Sequence, residues 1–468
     1  MPYEGELASK SSHSDIVRNP DVAAFLAGCK YLKPPSDEEI GLAVARFQVP
    51  PPIEEIPLAE HIIAIDGSYY ESSIDDKLPS TKVGYVKIGC VLIDLAQFST
   101  LRDEQTGWVD PLRVARLKEG SSPLTFTLPS ANIRWGDETS VRESFRRAVD
   151  THLYGEATRF NPSDPATSLR STLFHLASRR TGAMSTGDPR VLRLHGCPTC
   201  QRGPLDVHDV EGPQSCPNCG AAVYPTDCLR IWEEISDFQS NAEALSRFML
   251  VVEHLLPIHY IRFLAENSPT ALSSLAVFID GPLAIFGNPA WLHGPIMQYL
   301  AETNLRLEDS GQQGPIVIGL QKTGQVVDHV SLLDRFLPNN RLFSIDDDYR
   351  YEQILIGREQ SANGFGSETY YGQDFVFKTL SGRSFVFSLP YPFLVKNEPD
   401  TRFVDAKTDL GRYPELPRAL ALIQHFESDL YENAVVPIAL AHRYTAISLV
   451  PGGRVLDLLS KRNLPVNA

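Results

Sequence analysis

Two short apolar segments, far apart in the chain, each run directly into the dipeptide Asp-Gly. The first is HIIAI at residues 61–65, followed by Asp66, and the second is LAVFI at residues 275–279, followed by Asp280. Apolar runs of this length that end in turn residues predict buried strands of a sheet. If the two strands are neighbours, they hold both carboxylates rigidly at one edge of that sheet. The chain is therefore expected to contain a sheet with an acidic edge.

Further apolar segments alternate with helical patterns along the rest of the chain. This alternation predicts an α/β core that carries a large insertion. A helical stretch at 228–267 is expected to break near Pro257, because proline lacks the backbone N–H of a helix interior. The predicted domains are an N-terminal helical leader at 1–55, a first part of the core at 56–100, a mainly helical insertion at 101–270, and a second part of the core with C-terminal helices at 271–468.

Four of the seven cysteines form the most specific pattern in the chain. Cys197, Cys200, Cys216 and Cys219 have the spacing C-x2-C-x15-C-x2-C. Each C-x2-C pair can present two thiolates to one tetrahedral ion, which is typical of a structural Zn²⁺ site in a small ribbon, here at 194–228. The alternative is a redox pair or free thiols. A site with four cysteine ligands has no open position, so this zinc would fold the segment without catalysing a reaction.

The two strand-terminal aspartates suggest a second kind of metal site. Hard cations such as Mg²⁺ or Mn²⁺ prefer oxygen ligands, and Asp66 and Asp280 could both bind one ion. The alternative is a turn role, because Asp-Gly is a common turn dipeptide. A third acid is expected on the helix between them, and Glu253 lies within its apolar run, where an unpaired charge is costly. Glu243 and Glu266 remain candidates for the same role.

Two further residues suit chemistry on a phosphate. Lys322 follows a predicted strand in IGLQKTG and could bind phosphate as a point charge, or be an ordinary surface lysine. His442, in PIALAHRYTAIS, could be a metal ligand or proton shuttle, or a satisfied core histidine. The acidic run at 346–348 could add metal ligands, although such loops are usually only solvated.

Charge and motif content exclude several classes of protein. The net charge of −15 argues against nonspecific coating of nucleic acid. Locally, however, the segment 134–202 has eleven arginines and no lysine against seven acidic residues, so it is expected to contact DNA or a partner protein. No P-loop motif is present, so the chain does not encode its own ATPase motor. The start MPYEGELASK lacks an export signal, and no uncharged membrane-spanning stretch is present, so a cytoplasmic location is expected.

The order of these motifs resembles the NurA nuclease family. The resemblance rests on IIAIDGSYY, AVFIDGPL, IGLQKTG and LAHRYTAIS, which occur in this order between about residues 60 and 450. It implies an RNase H-like mixed sheet flanked by helices, with the helical and zinc-ribbon segment as an insertion. The zinc ribbon departs from the compact form of the family, so its role does not follow from the resemblance.

The resemblance also implies a function and a set of site residues. The family consists of metal-dependent DNA nucleases, which are dimers and work with a hexameric HerA-type ATPase in DNA end processing. By this resemblance Asp66 and Asp280 are the metal-binding aspartates and Glu253 is the helix carboxylate. His442 matches the family's C-terminal histidine and Lys322 its later lysine. The implied cofactor is Mn²⁺ or Mg²⁺, and the implied partners are DNA, a HerA-like ATPase and a second copy of the chain.

Two other functions stay open at this point. The chain could be a non-catalytic zinc-ribbon adaptor on an RNase H-like scaffold, recruiting an ATPase or binding DNA. Such an adaptor has no need of Asp66 and Asp280 at strand ends. The same kind of site could also cut RNA, although nothing in the sequence identifies a group that recognises a 2′-hydroxyl. The first expectation is a metal-dependent deoxyribonuclease acting in DNA repair or in defence against foreign DNA.

Overall fold

The computed structural model describes residues 14–30, 32, 36–74, 80–99, 123–397, 401–428, 434–447 and 452–463. Within these ranges the strands, in chain order, are β1 (His61–Ser73), β2 (Lys82–Asp94), β3 (Leu124–Pro129), β4 (Val191–Leu194), β5 (Leu205–His208), β6 (Gln214–Ser215), β7 (Ala222–Val223), β8 (Leu275–Asp280), β9 (Ile316–Gln321), β10 (Arg341–Ser344), β11 (Gly372–Lys378) and β12 (Ser384–Pro390). The helices are α1 (Ser14–Arg18), α2 (Pro20–Gly28), α3 (Asp37–Ala45), α4 (Leu95–Ser99), α5 (Val141–Tyr154), α6 (Leu169–Ala177), α7 (Ala242–Asn267), α8 (Pro269–Ser273), α9 (His293–Asp309), α10 (Gln325–Leu333), α11 (Asp347–Tyr349), α12 (Phe403–Ala406), α13 (Leu416–Phe426), α14 (Val436–Thr445) and α15 (Gly452–Asn463).

Eight of these strands form one mixed sheet, in the spatial order β10-β11-β12-β9-β8-β1-β2-β3. The three central strands β1, β8 and β9 are parallel, and the outer strands pair antiparallel. Helices cover both faces of the sheet. The prediction of an α/β fold with a mixed sheet between helices is therefore confirmed.

The alternation of side chains along β1 and β8 separates two hydrophobic layers. Ile63, Ile65 and Val277 face the layer that contains α5, α6 and α7, whereas Ile62 and Phe278 face the layer of α13 and α14. This is the expected result of a two-residue period in strands that are buried on both sides. The central strands are apolar at nearly every position because neither face meets water.

Strand β1 continues well beyond the acidic residue expected at its end. Pairing with β8 stops at Ile65, opposite Ile279, while pairing with β2 continues to Ser73. Asp66 is therefore not the last residue of its strand but the first after its pairing with β8. The polar residues that follow remain in a strand because α7 packs on one face of the hairpin and α14 and α15 pack on the other. Residues 75–79, between the two strands, lie outside the described residues.

Helix α7 is the central helix of the fold. It runs without interruption through Pro257, so the predicted break there is wrong. The missing N–H of Pro257 leaves the carbonyl oxygen of Glu253 without its usual helical partner. The surrounding residues are buried, so tertiary packing outweighs this local loss. The helix is long and apolar enough to cross a membrane, but 61% of its most apolar window is buried inside the protein, as in a core helix.

The range assigned to the insertion, 101–270, contains two elements of the main body. Strand β3 is the edge strand beside β2, and α7 covers β1 and β2. The four-cysteine segment adds two small hairpins, β4–β5 and β6–β7. Buried Cys197 and Cys216 belong to the same hydrophobic cluster as α5, α6 and α7. The ribbon is therefore packed into the main core.

The N-terminal helices α1, α2 and α3 belong to a separate compact unit, residues 1–46. Helix α3 begins after Ser36, whose hydroxyl accepts a hydrogen bond from the backbone N–H of Glu39. Helices α1 and α2 contain no buried residue.

Candidate active site

The two predicted aspartates meet at one edge of the sheet, together with His442. The register of β1 and β8 places Ile65 opposite Ile279. The next residue of β1 is Asp66 and the next residue of β8 is Asp280, so the two aspartates are neighbours. One ligand atom from each of Asp66, Asp280 and His442 lies within 4.8 Å of the other two. Nδ1 of His442, from α14, is 3.3 Å from Oδ2 of Asp66. Three elements from distant parts of the sequence thus form one cluster of metal-binding groups.

Glu253 approaches the same cluster from the opposite face of β1. The residue is 6% exposed, and its carboxylate accepts a hydrogen bond from the backbone N–H of Gly67. A Cβ atom on Gly67 would be 2.6 Å from Oε1 of Glu253, so only glycine permits this approach. Glu243 and Glu266 lie near the two ends of α7, roughly 15 to 20 Å away along the helix. The structure thus favours Glu253 among the three candidates.

The buried carboxylates repel one another in the metal-free protein. Burial raises the pKa of Glu253 well above its usual range, and the charges of Asp66 and Asp280 raise it further. Burial and the neighbouring Asp66 raise the pKa of Asp280 to about 7, against the opposing effect of Lys322. A divalent cation would relieve this repulsion. The oxygen-rich donor set with one imidazole suits Mn²⁺ or Mg²⁺.

Lys322 and His442 lie on the accessible side of the cluster. Nζ of Lys322, directly after β9, is 2.7 Å from Oδ2 of Asp280. The side chain of His442 is 58% exposed, so it is not a core histidine. Partial burial and the charge of Lys322 lower the pKa of His442, which favours the neutral imidazole that can bind a metal. The structure thus brings all five predicted residues to one place.

The acidic run at 346–348 lies elsewhere and has structural partners. The side chain of Asp346 accepts a hydrogen bond from the backbone N–H of Tyr349 and caps α11. Buried Asp347 forms an ion pair of 2.6 Å with Lys407. Their part in metal binding is therefore not supported.

One residue of the site was missed by the sequence analysis. Thr445, at the C-terminal end of α14, is fully buried, and its hydroxyl donates to Oδ2 of Asp66 at 2.5 Å. The sequence feature that could have identified Thr445 is its spacing of three residues from His442, which places both side chains on one side of a helix.

Comparison with known proteins identifies the family of the chain. The family model of the NurA domain matches residues 60–447, which is most of the chain. The chain belongs to the NurA family. A solved structure similar to it is the NurA nuclease from Sulfolobus solfataricus, at 9% sequence identity, 97% coverage of this chain, 96% coverage of that chain and a TM-score of 0.35. No curated protein sequence matches the chain significantly. The resemblance identified from the motifs is therefore confirmed, and the chain is a member of a nuclease family.

Besides the acidic site, this NurA-family chain has a cluster of four cysteines. Their Sγ atoms all lie within 4.8 Å of one another, with 3.8 Å between Cys197 and Cys219 and 3.9 Å between Cys200 and Cys216. The backbone N–H groups of Thr199 and Asn218 donate to sulfur atoms, as in zinc knuckles. The cluster fits a structural zinc site with no position left for a substrate.

The arginine-rich segment of this NurA-family chain is largely neutralised by its own surroundings. Six of its eleven arginines form ion pairs with carboxylates, namely Arg146, Arg147, Arg170, Arg179, Arg190 and Arg193. The pairs of Arg146 and Arg170 are buried and fix α5 and α6 to the loops around the ribbon. The positive charge counted in the sequence is therefore mainly structural, and it no longer argues for a DNA-binding surface.

We expect the pKa of Asp280 to appear as a pH dependence of stability. Because this pKa rises from 3.8 to about 7 on folding, the native state holds the proton more tightly than the unfolded chain. The free energy of unfolding of the metal-free protein should therefore fall as the pH rises from about 4 to about 7. Urea unfolding without added Mn²⁺ or Mg²⁺, at several pH values, should show a smaller decrease for Asp280→Asn than for the wild type. Equal decreases in the two proteins would contradict the assignment.

Proposed function

We propose that this chain is a divalent-metal-dependent DNA nuclease that hydrolyses phosphodiester bonds. The observation that supports this most is the convergence of Asp66, Asp280 and His442 within 4.8 Å, with Glu253 buried beside them. Clustered carboxylates with raised pKa values are costly to maintain, and a metal-dependent reaction gives a reason for them. Membership of a nuclease family supports the same reaction.

Asp66, Asp280 and His442 would bind the catalytic Mn²⁺ or Mg²⁺, with Glu253 next to the same carboxylates. The bound cation would supply positive charge to the phosphate and lower the pKa of an attacking water. Lys322 has an ammonium group beside Asp280 that can bind a phosphate oxygen as a point charge. His442 is exposed enough to reach substrate and, in its neutral form, can also accept a proton.

We further propose that the protein acts in the cytoplasm as a homodimer, together with a HerA-like hexameric ATPase. The chain has no P-loop of its own, so movement along DNA would need a separate motor. The work would be DNA end processing in repair, or defence against foreign DNA. The four-cysteine cluster would bind one structural Zn²⁺ and have no part in the reaction.

The test is cleavage of DNA by the purified full-length chain. Linear and covalently closed circular DNA would be incubated with Mn²⁺, with Mg²⁺ or with EDTA, each with and without the cognate ATPase. We expect cleavage of linear DNA that requires the divalent metal, and cutting of the circular substrate would identify endonuclease action. An RNA substrate of the same sequence would show whether the enzyme distinguishes deoxyribose from ribose. Absence of cleavage even with the ATPase would reject the nuclease and favour the adaptor.

A further inference from the structure

Thr445 contacts a carboxylate of the site although it has no metal-binding role itself. Its hydroxyl oxygen is 2.5 Å from Oδ2 of Asp66, and 3.1 Å from the carbonyl oxygens of Ala441 and His442. A hydroxyl has one hydrogen to donate, and a carboxylate is the strongest acceptor of the three. The hydrogen bond to Asp66 is thus the dominant one, and it joins α14 to β1 at the candidate metal site.

The strand beside Asp66 is shaped to admit this threonine. Gly89 of β2 lies directly opposite Asp66 in the antiparallel pairing. A Cβ atom on Gly89 would be only 2.5 Å from Cγ2 of Thr445, so any larger residue would push the threonine away. The end of α14 is also fixed by Lys87, whose Nζ donates to the carbonyl oxygen of Tyr444 at 2.7 Å. These contacts leave Thr445 little freedom to move.

We propose that Thr445 is a positioning residue that orients the Asp66 carboxylate for metal binding, and that Gly89 is the position that makes this contact possible. The inference rests on the proposed function, since it concerns the same metal site. Hydrogen bonds to metal-binding carboxylates fix their orientation, and loss of such a bond typically costs about 10- to 100-fold in metal affinity or activity. Because α14 also carries His442, the hydrogen bond additionally fixes the helix that supplies the third metal-binding group.

The first test measures Mn²⁺ affinity without DNA, from the electron paramagnetic resonance signal of free Mn²⁺. Thr445→Val keeps the shape of the side chain but removes the hydroxyl, and we expect it to weaken Mn²⁺ binding about 10- to 100-fold. Thr445→Ser keeps the hydroxyl and should restore binding. Thr303→Val is the matched control, because Thr303 is a buried helical threonine that donates to the carbonyl oxygen of Tyr299, in α9.

The second test uses the contact between Gly89 and the threonine methyl group. Gly89→Ala alone should displace Thr445 and weaken Mn²⁺ binding as Thr445→Val does. Combining Gly89→Ala with Thr445→Ser removes the methyl group that the new Cβ would meet. The double variant should therefore bind Mn²⁺ more tightly than Gly89→Ala alone, which is a non-additive result expected only for residues in contact.

The outcomes separate this inference from the proposed function. If the wild type binds Mn²⁺ and cuts DNA, but Thr445→Val binds Mn²⁺ equally well, the positioning role is wrong and the nuclease stands. A similar loss of affinity in Thr303→Val would overturn the positioning role as well, because the effect would then be one of general stability. If the wild type neither binds Mn²⁺ nor cuts DNA, the metal site and the positioning role both fail.

Discussion

Asp66→Asn is expected to lower Mn²⁺-dependent DNA cleavage by about 1,000-fold or more, in the range that removal of a central catalytic group costs other hydrolases. Asp66 is the carboxylate that the other site groups share: His442 and Thr445 contact it directly, and its charge acts on both Asp280 and Glu253. An amide keeps the shape of the side chain and an acceptor oxygen for Thr445. It loses the negative charge that attracts a divalent cation.

The same substitution should stabilise the metal-free protein. Asp66 raises the pKa values of Glu253 and Asp280, which means that its charge opposes theirs in the folded state. Removing that charge should increase the free energy of unfolding by on the order of 1 kcal/mol at neutral pH without added Mn²⁺ or Mg²⁺. A more stable but inactive variant is typical of a residue kept for function at a cost in stability.

The experiment pairs cleavage assays with urea unfolding of the same proteins. Glu243→Gln is a suitable control, since Glu243 is an exposed carboxylate in the first turn of α7, the helix that carries Glu253. It should change neither cleavage nor stability appreciably. Wild-type levels of cleavage by Asp66→Asn would show that the acidic cluster is not the catalytic site. If Asp66→Asn is inactive because it is unfolded, Glu253→Gln becomes the deciding variant. Its loss of a carboxylate should likewise lower cleavage and stabilise the metal-free protein.

Cys216→Ser is expected to have the largest effect on stability. Structural zinc contributes about 10–16 kcal/mol to the folding of isolated zinc-finger peptides, as much as the 5–15 kcal/mol that stabilises a typical protein. Cys216 is buried in the same hydrophobic cluster as the residues of α5, α6 and α7. Loss of the ion should therefore unfold the ribbon and also weaken the helical layer behind β1.

The measurements are zinc content by mass spectrometry and thermal unfolding. We expect about one zinc per wild-type chain and a strongly lowered unfolding temperature for Cys216→Ser or after treatment with a zinc chelator. Cys29→Ser is the control, because Cys29 is exposed and lies outside the cluster. A wild-type protein that contains no zinc, or a Cys216→Ser variant as stable as Cys29→Ser, would contradict the structural zinc site.

Much of the candidate site could be predicted from residue types and local pattern. The location of Asp66 and Asp280 was predictable, because an acidic residue that follows a buried apolar strand lies at the edge of the sheet. The spacing of the four cysteines predicted that they form a cluster, since four thiolates at this spacing can surround one ion. Glu253 was predictable because a charge within an apolar helix needs a partner. These arguments depend only on short stretches of the sequence.

Other features depended on contacts between distant segments. The length of β1 past Asp66 follows from its pairing with β2 and from the helices on both faces, not from its own composition. Helix α7 continues through Pro257 because the buried residues around it offset one missing hydrogen bond. The arginine-rich segment was predicted from its charge to be a contact surface, yet several of its side chains pair with carboxylates such as Asp150 and Asp227. A count of charges cannot show which of them are neutralised.

The sequence by itself determined the family, the α/β class and the identity of the acids, because these depend on periodicity, order and residue type. Only the tertiary structure decided how the acids are arranged. The register of β1 against β8 sets Asp66 beside Asp280, and α14 brings Thr445 and His442 to them from near the other end of the chain. Gly89 has no recognisable role until β2 places it opposite Asp66. These contacts arise from the packing of distant segments, so no local sequence pattern predicts them.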